Sequence, residues 1–462
     1  MASTSLIAQW NPEDRGFWQS RGSSVAQRNL WISIPALTLA FAVWMVWSVV
    51  VVNLPQVGFR FSTNQLFWLA SLPALCGATL RIFYSFAVPI FGGRRWTAVS
   101  TASLLLPAGG IGLAVQNPGT PYEVFVLLAL LCGFGGGNFA SSMANISFFF
   151  PKEKKGTALG LNAGLGNLGV SLVQFVVPVV INMGLFGELG GEPQAVTKVG
   201  GSMVLWLQNA GYVWVPFIAA SALAAWFGMN DLAEAKASFA DQAVIFKRQH
   251  NRWMCWLYLG TFGSFIGYSA GFPLLIKSQF PGVNALQYAW LGPLVGALIR
   301  PVGGWLSDKV GGARVTFWNF IAMAVGVVAV LQFLPSQGQG GHFIGFLVSF
   351  LFLFATSGIG NGSTFRMIPV IFLTERTREV AGKSPQAKEQ AIKDANKEAA
   401  AVLGFSSAVG AYGGFFIPKS YGTSISMTGS PDAALYCFIA FYVTCVAITW
   451  WFYSRKNAPM PC

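Results

Sequence analysis

Gly77-Ala-Thr-Leu-Arg81-Ile-Phe-Tyr-Ser-Phe-Ala-Val-Pro-Ile-Phe-Gly92-Gly-Arg-Arg-Trp96 places an arginine deep inside an otherwise apolar run. The same frame returns later: Gly296-Ala-Leu-Ile-Arg300 and Gly311-Gly-Ala-Arg314 repeat Gly77, Ala78, Arg81, Gly92, Gly93 and Arg95 at a constant spacing of 219 residues. The chain therefore reads as a duplicated unit. Arg81 lies eleven residues before Gly92, which at ~1.5 Å per helical residue is about 16 Å, half of a ~30 Å hydrocarbon core. Arg300 sits equivalently. A cation at that depth costs about 2.5–3.5 kcal/mol even on a lenient insertion scale, so it faces a polar cavity and a partner.

With 462 residues, 54% of them hydrophobic and 10% charged, the chain has the composition of a polytopic membrane protein. It leaves no room for a soluble catalytic domain, so no enzyme activity and no cofactor are expected. The net charge of +13 comes from short basic clusters between apolar spans rather than from one basic face, which argues for membrane topology and against nucleic acid. The six cysteines are scattered, mostly within apolar spans and without metal-ligand spacing, and read as reduced packing residues. Residues 1–29 are polar and carry no apolar core followed by a cleavage site, so no signal peptide is expected there.

Runs of spanning length fall at about 30–54, 65–91, 96–116, 122–150, 157–184 and 211–228, then, after the charged stretch 229–252, at about 254–276, 286–306, 314–334, 343–373, 400–420 and 433–454. This divides the chain into a cytoplasmic tail (1–29), a six-helix half (30–228), a cytoplasmic linker (229–252), a second six-helix half (253–454) and a short cytoplasmic tail (455–462). Of the 29 lysines and arginines, 22 fall on one side and four on the other, which puts both termini in the cytoplasm by the positive-inside rule. The remaining three, Arg81, Arg300 and Arg366, are intramembrane.

The duplication extends further. Gly135-Gly-Gly-Asn138 answers Gly358-Ile-Gly-Asn361 at a spacing of 223 residues, and Ala158–Gly169 answers Val402–Gly413 at 244. The jump marks an insertion, Thr374–Lys397, rich in Ala, Glu, Lys and Gln, which reads as a solvated helical extension. An all-α polytopic membrane protein of 12 transmembrane helices, in two pseudo-symmetric six-helix halves with the substrate site near the midplane, is the major-facilitator plan.

The carboxylates decide the chemistry. Every Asp and Glu falls in a loop or at a span end, so none sits at mid-membrane to neutralise Arg81 or Arg300, and both histidines, His250 and His342, lie in loops. The missing partner is then most simply an anionic substrate, although each arginine could instead bond backbone carbonyls or a buried tyrosine. A guanidinium suits a planar oxyanion because its fork donates two parallel hydrogen bonds and never loses its charge. Two such groups ~8 Å apart in an effective dielectric of ~20 repel by about 2 kcal/mol. An anion relieves that repulsion, which favours exchange over one-way leak.

Phe139 and Asn138 lie midway along the fourth span, while Tyr258 and Phe262, four residues apart, share one face of the seventh. They either clamp a flat, weakly hydrated anion, with Tyr258 adding a donor, or simply pack the core. The glycine-rich frames of spans five and eleven, Gly164, Gly166, Gly169, Gly410 and Gly413, allow close helix packing, and close approach would also bring Asn167 to the anion. Arg366, six residues before Phe372, can snorkel to the cytoplasmic surface and is not assigned to the site. Asp308, close to Lys309 and Arg314, reads as a gate latch or as part of a plain solvated loop.

Gly303-Gly-Trp-Leu-Ser-Asp-Lys-Val-Gly-Gly-Ala-Arg314 resembles the cytoplasmic loop signature of the major facilitator superfamily, with Gly92-Gly-Arg-Arg95 as a reduced first-half copy. Ala140-Ser-Ser-Met-Ala-Asn-Ile-Ser-Phe-Phe-Phe-Pro151, Gly160–Gly169 and Gly404–Gly414 resemble the nitrate/nitrite porters, and the similarity to the NarK-type exchangers runs over nearly the whole chain. The resemblance implies nitrate uptake coupled to nitrite export across the bacterial inner membrane, by a rocker-switch carrier expected to be monomeric. It implies that Arg81 and Arg300 are the substrate arginines, Phe139 and Phe262 the aromatic clamp, and Tyr258 and Asn167 further donors. Gly164, Gly166, Gly410 and Gly413 would belong to two signature helices, and Asp308, Arg314 and Arg95 to the gates. Arg366 and the insertion near Gly382 depart from the pattern. Charge alone leaves phosphate open, so the choice of nitrate rests on the resemblance, and proton-coupled nitrate uptake or a non-transporting anion sensor are the competing readings.

Overall fold

The computed structural model describes residues 6–198, 201–233, 235, 244–335 and 340–462. Parts of the expected linker 229–252 therefore lie outside the described residues, as do the charges Glu234, Lys236 and Asp241. Twelve long helical segments run through the rest: α1 Arg15–Val57, α2 Thr63–Tyr84, α3 Gly93–Ala114, α4 Tyr122–Phe149, α5 Lys152–Val180, α6 Asn209–Gly228, α7 Gln249–Gln279, α8 Leu291–Val310, α9 Gly312–Phe333, α10 Phe343–Glu379, α11 Pro385–Thr428 and α12 Asp432–Ser454. Among the described residues, eleven of these are long and apolar enough to cross a membrane; the other, α8, carries Arg300, Asp308 and Lys309 within its 20 residues. The architecture is all-α and polytopic.

Local chemistry marks the ends. Ser62 and Gln65 form a reciprocal capping box at the start of α2. Pro121 and Pro151 immediately precede α4 and α5, where an imino nitrogen leaves no orphan donor. Gly92 and Gly311, at φ 87° and 94°, make the turns into α3 and α9; an L side chain is strained there, which explains why both copies of the repeat keep glycine. Helix α1 starts at Arg15 although its apolar stretch begins near residue 30, because a π turn at Trp18–Gly22 joins a polar segment to the span. Ahead of it, β1 (Leu6–Ile7) pairs in parallel with β4 (Asp231–Leu232), and β2 (Gln194–Lys198) pairs with β3 (Gly201–Leu205) as an antiparallel hairpin between α5 and α6.

The chain divides into two compact units, one of Met1–Ala237, Ser269–Ser278 and Gly282–Trp290, the other of Ser238–Tyr268, Gln279–Pro281 and Leu291–Cys462. In the first, α2 and α4 cross on glycine: a Cβ at Gly77 would lie 3.0 Å from the Gly136 Cα. In the second, α8 and α10 approach equally closely, and a Cβ at Gly296 would lie 3.1 Å from the Phe354 carbonyl oxygen. Small residues let helices gain van der Waals contact in an environment where apolar burial against lipid supplies little.

Candidate functional site

In the first unit, Arg81 is fully buried. The glycine crossing brings α4 close enough for its Nε to donate to the Gly136 carbonyl at 2.8 Å. Its guanidinium carbon lies 4.7 Å from the Phe139 ring centroid and 5.1 Å from that of Trp44. Trp44 is itself fixed, its indole donating to the Pro73 carbonyl at 2.8 Å, and Phe139 meets Phe41 edge-on at 6.0 Å. Two aromatic faces and one backbone carbonyl thus orient the cation. Asn138, next to Phe139, is buried, its amide reaching the Ser100 carbonyl at 3.4 Å while its Oδ1 has no hydrogen-bond partner among the described residues. The Oδ1 of buried Asn167 on α5 is likewise without one.

In the second unit, Arg300 is buried on α8, with its guanidinium carbon 5.3 Å from the Phe365 ring of α10. Its Nη1 is buried without a hydrogen-bond partner among the described residues. Tyr258 and Phe262 stack at 5.4 Å with their planes 24° apart, both nearly inaccessible to solvent. A π turn over Leu259–Gly263 carries Phe262, and π-bulges recur at functional sites.

Each arginine therefore lies under a phenylalanine from the fourth helix of its own unit. Phe365 was invisible to the repeat frame, which pairs Phe139 with Gly362; the aromatic has moved three residues along the same helical face. Trp44 has no repeat signal at all.

The signature glycines separate into two kinds. A Cβ at Gly166 would sit 2.7 Å from Leu37, and one at Gly169 would run into the Thr38 carbonyl and lie 2.9 Å from the Phe41 Cβ. A Cβ at Gly410 would lie 3.0 Å from Tyr258 and 3.1 Å from Phe262, and one at Gly413 would collide with Gly263. These four are packing positions, one of them, Gly410, directly against the stacked aromatics. Gly164 faces open space.

The charged residues at the helix ends are arranged differently from their order in sequence. Asp308 pairs with Arg366 on α10 rather than with Lys309 or Arg314, and both members are about half exposed. Arg366 thus lies at the surface of its unit, with a partner that residue order alone does not assign. Lys309 stacks on Trp305 at 4.1 Å, and Arg314 is exposed. Arg95 is largely exposed and 3.8 Å from Asp231. His250 is not in a loop: it lies in the first turn of α7, buried, with Nδ1 2.9 Å from the Tyr453 hydroxyl. His342 caps α10 by accepting from the Gly345 amide.

A further cluster joins the ends of three helices of the second unit. Arg248, just before α7, lies 2.7 Å from Glu379, 3.5 Å from Glu375 and 3.3 Å from buried Glu398, which also bonds Arg376. Burial lowers the Arg248 pKa, but the hydrogen bond to Glu379 and the charges of Glu398 and Glu375 outweigh it and hold the guanidinium above its ordinary value. The expected solvated extension is helical on both sides of a turn at 380–384, and its inner edge is anchored by this cluster.

The sequence model of the major facilitator superfamily matches residues 36–418. The chain is 54% identical to the nitrate/nitrite transporter NarU of Escherichia coli over 98% of its length and 97% of that protein. It is 43% identical to the probable nitrate/nitrite antiporter NarK2 of Thermus thermophilus over 100% of its own length and 99% of the relative's. Among solved structures, the fold is similar to the D-xylose-proton symporter, with TM-score 0.62 at 15% identity over 93% of this chain and 98% of that one. The xylose transporter XylE of Escherichia coli gives 0.63 at 14% identity over 91% and 95%.

Proposed function

This chain belongs to the major facilitator superfamily and, within it, to the NarK-type nitrate/nitrite porters, and we propose that it exchanges nitrate for nitrite by alternating access, with Arg81 and Arg300 recognising the anion. The observation that carries the reading is the matched environment of the two arginines. Each is buried on the second helix of its repeat and stacked against a phenylalanine from the fourth. An aromatic face leaves the in-plane N–H donors of a guanidinium directed sideways, which suits a flat monoanion that accepts two parallel hydrogen bonds. The relatives named for nitrate and nitrite narrow the anion class.

Asn138 and Asn167 supply buried amides, and the Tyr258–Phe262 stack supplies a hydroxyl and an apolar face. A weakly hydrated anion leaves water more readily than phosphate does, so buried arginines, amides and rings select by the cost of dehydration. From the excess of basic residues on one side we infer that both termini are cytoplasmic, and we propose that the carrier acts as a monomer in the bacterial inner membrane.

The test is counterflow into proteoliposomes. Nitrite-loaded vesicles take up nitrate rapidly, vesicles without internal anion do not, and the lumen stays at constant pH. Full-rate entry into empty vesicles with lumen acidification would establish proton-coupled uptake instead. Binding of nitrate with no flux under either condition would make the protein an anion sensor.

A further inference from the structure

The first repeat lacks an acid that the second has. Asp308 in the second copy corresponds to Pro89 in the first, so the Gly92–Arg95 turn carries arginines without a carboxylate. The structure supplies one from elsewhere. Asp231, three residues beyond the end of α6, accepts at Oδ1 from the Arg94 amide at 2.8 Å and the Arg95 amide at 3.5 Å, and at Oδ2 from Arg94 Nε at 3.2 Å.

Arg94 in turn closes the loop. Its Nη1 donates to the Trp226 carbonyl at 2.7 Å and its guanidinium lies 4.9 Å from the Trp226 ring. One ion pair therefore caps both the N-terminus of α3, with a carboxylate, and the last turn of α6, with a cation, each matched to the local helix dipole. The pair is about nine-tenths buried, whereas Asp308 and Arg366 are half exposed. Exposed pairs are screened and contribute little, while removing one member of a buried pair strands a desolvated charge.

The neighbouring chain is held as well. Asn230 exchanges hydrogen bonds with Asn29 and accepts from Arg28, and the strand at Asp231–Leu232 pairs with Leu6–Ile7. Gly92 is adapted to this contact: a Cβ there would run into the Asp231 carboxylate. The second repeat has a comparable main-chain connection. Ala313, which corresponds to Arg94, donates its amide to the Cys462 carbonyl oxygen at 3.0 Å, so there too the segment after the last helix caps the third.

We propose that Asp231 is a positioning residue for transport, which joins the chain leaving α6 to the cytoplasmic ends of α3 and α6 so that they move as one body, in place of the acid missing from the first repeat. The inference uses the nitrate/nitrite exchange reading for its flux measurement only. Its other measurement, amide hydrogen exchange on the full-length protein in detergent, is independent of substrate.

Asp231→Asn keeps the size and one acceptor but leaves Arg94 uncompensated, and Arg94→Gln leaves buried Asp231 with only the largely exposed Arg95 as a cation, 3.8 Å away. Each single variant is expected to lower the maximal rate of nitrate/nitrite counterflow by about tenfold with KM within about twofold, and to speed amide exchange in peptides covering residues 93–102 and 226–232 by about tenfold or more. The double variant Asp231→Asn/Arg94→Gln, which buries no net charge, recovers to within about threefold of the parent rate. If the single variants do not fold, Arg94→Lys replaces them, since an ammonium cannot hold Asp231 and the Trp226 carbonyl in the same planar geometry. Unchanged exchange in both peptides, a raised KM at unaltered maximal rate, or a double variant no better than the singles would overturn the proposal. Failure of the parent protein to move nitrate, with tether exchange still accelerated by Asp231→Asn, would refute the transport reading and leave the tether supported.

Discussion

Arg81→Lys keeps the buried positive charge and removes what depends on a planar guanidinium. In the structure the plane is held by the 2.8 Å bond from Nε to the Gly136 carbonyl and by rings whose centroids lie 4.7 and 5.1 Å away. A lysine ammonium can keep one of these contacts, but it cannot lie flat between Phe139 and Trp44 while presenting two parallel donors. Losing one charge-assisted hydrogen bond costs about 1.5–3 kcal/mol, and weakening a desolvated cation–π contact costs about 1 kcal/mol more. The total of about 2.5–4 kcal/mol is roughly a sixty- to seven-hundred-fold loss in anion affinity at about 1.4 kcal/mol per decade. The assay is initial nitrate entry into nitrite-loaded proteoliposomes at matched protein content, with a melting curve to show that the variant is folded. Counterflow within threefold of the parent would refute the argument that the guanidinium plane recognises the anion.

Other perturbations follow from the same geometry. Phe365→Leu removes the ring from Arg300 and is expected to raise KM for nitrate about tenfold; an unchanged KM would mean the ring is only packing. Gly77→Val would force side-chain atoms into Trp44 and Gly136 and should lower stability by about 1–3 kcal/mol, read as a drop in melting temperature. Gly164→Ala meets nothing within 4 Å and should be neutral or stabilising by up to about 1 kcal/mol; marked destabilisation would contradict the open environment found there. Glu398→Ala leaves Arg248 and Arg376 facing a buried void in the charge cluster and should cost about 3–5 kcal/mol, whereas Asp308→Asn, in a half-exposed pair, should shift stability by less than about 1 kcal/mol.

The membrane class, the twelve helices and the two repeat arginines were legible in the chain itself. Hydrocarbon is unforgiving: it demands long apolar runs, and it makes two arginines in repeated frames stand out. The four packed signature glycines were legible for a similar reason, because close helix contact requires the absence of a side chain and leaves a mark in composition. What remained hidden depends on which faces meet. Trp44 reaches Arg81 from another helix, Phe365 moved three residues off the repeat frame, and Asp231 answers Arg94 across 137 residues of sequence. Likewise nothing in the order of residues joins Asp308 to Arg366 in preference to the nearer Lys309 or Arg314. Hydropathy and repeat spacing are one-dimensional properties, so sequence determined how many helices there are and which of their residues are costly to bury. Ion pairs and ring contacts act over a few ångströms, so only tertiary packing decided which side chain meets each cost.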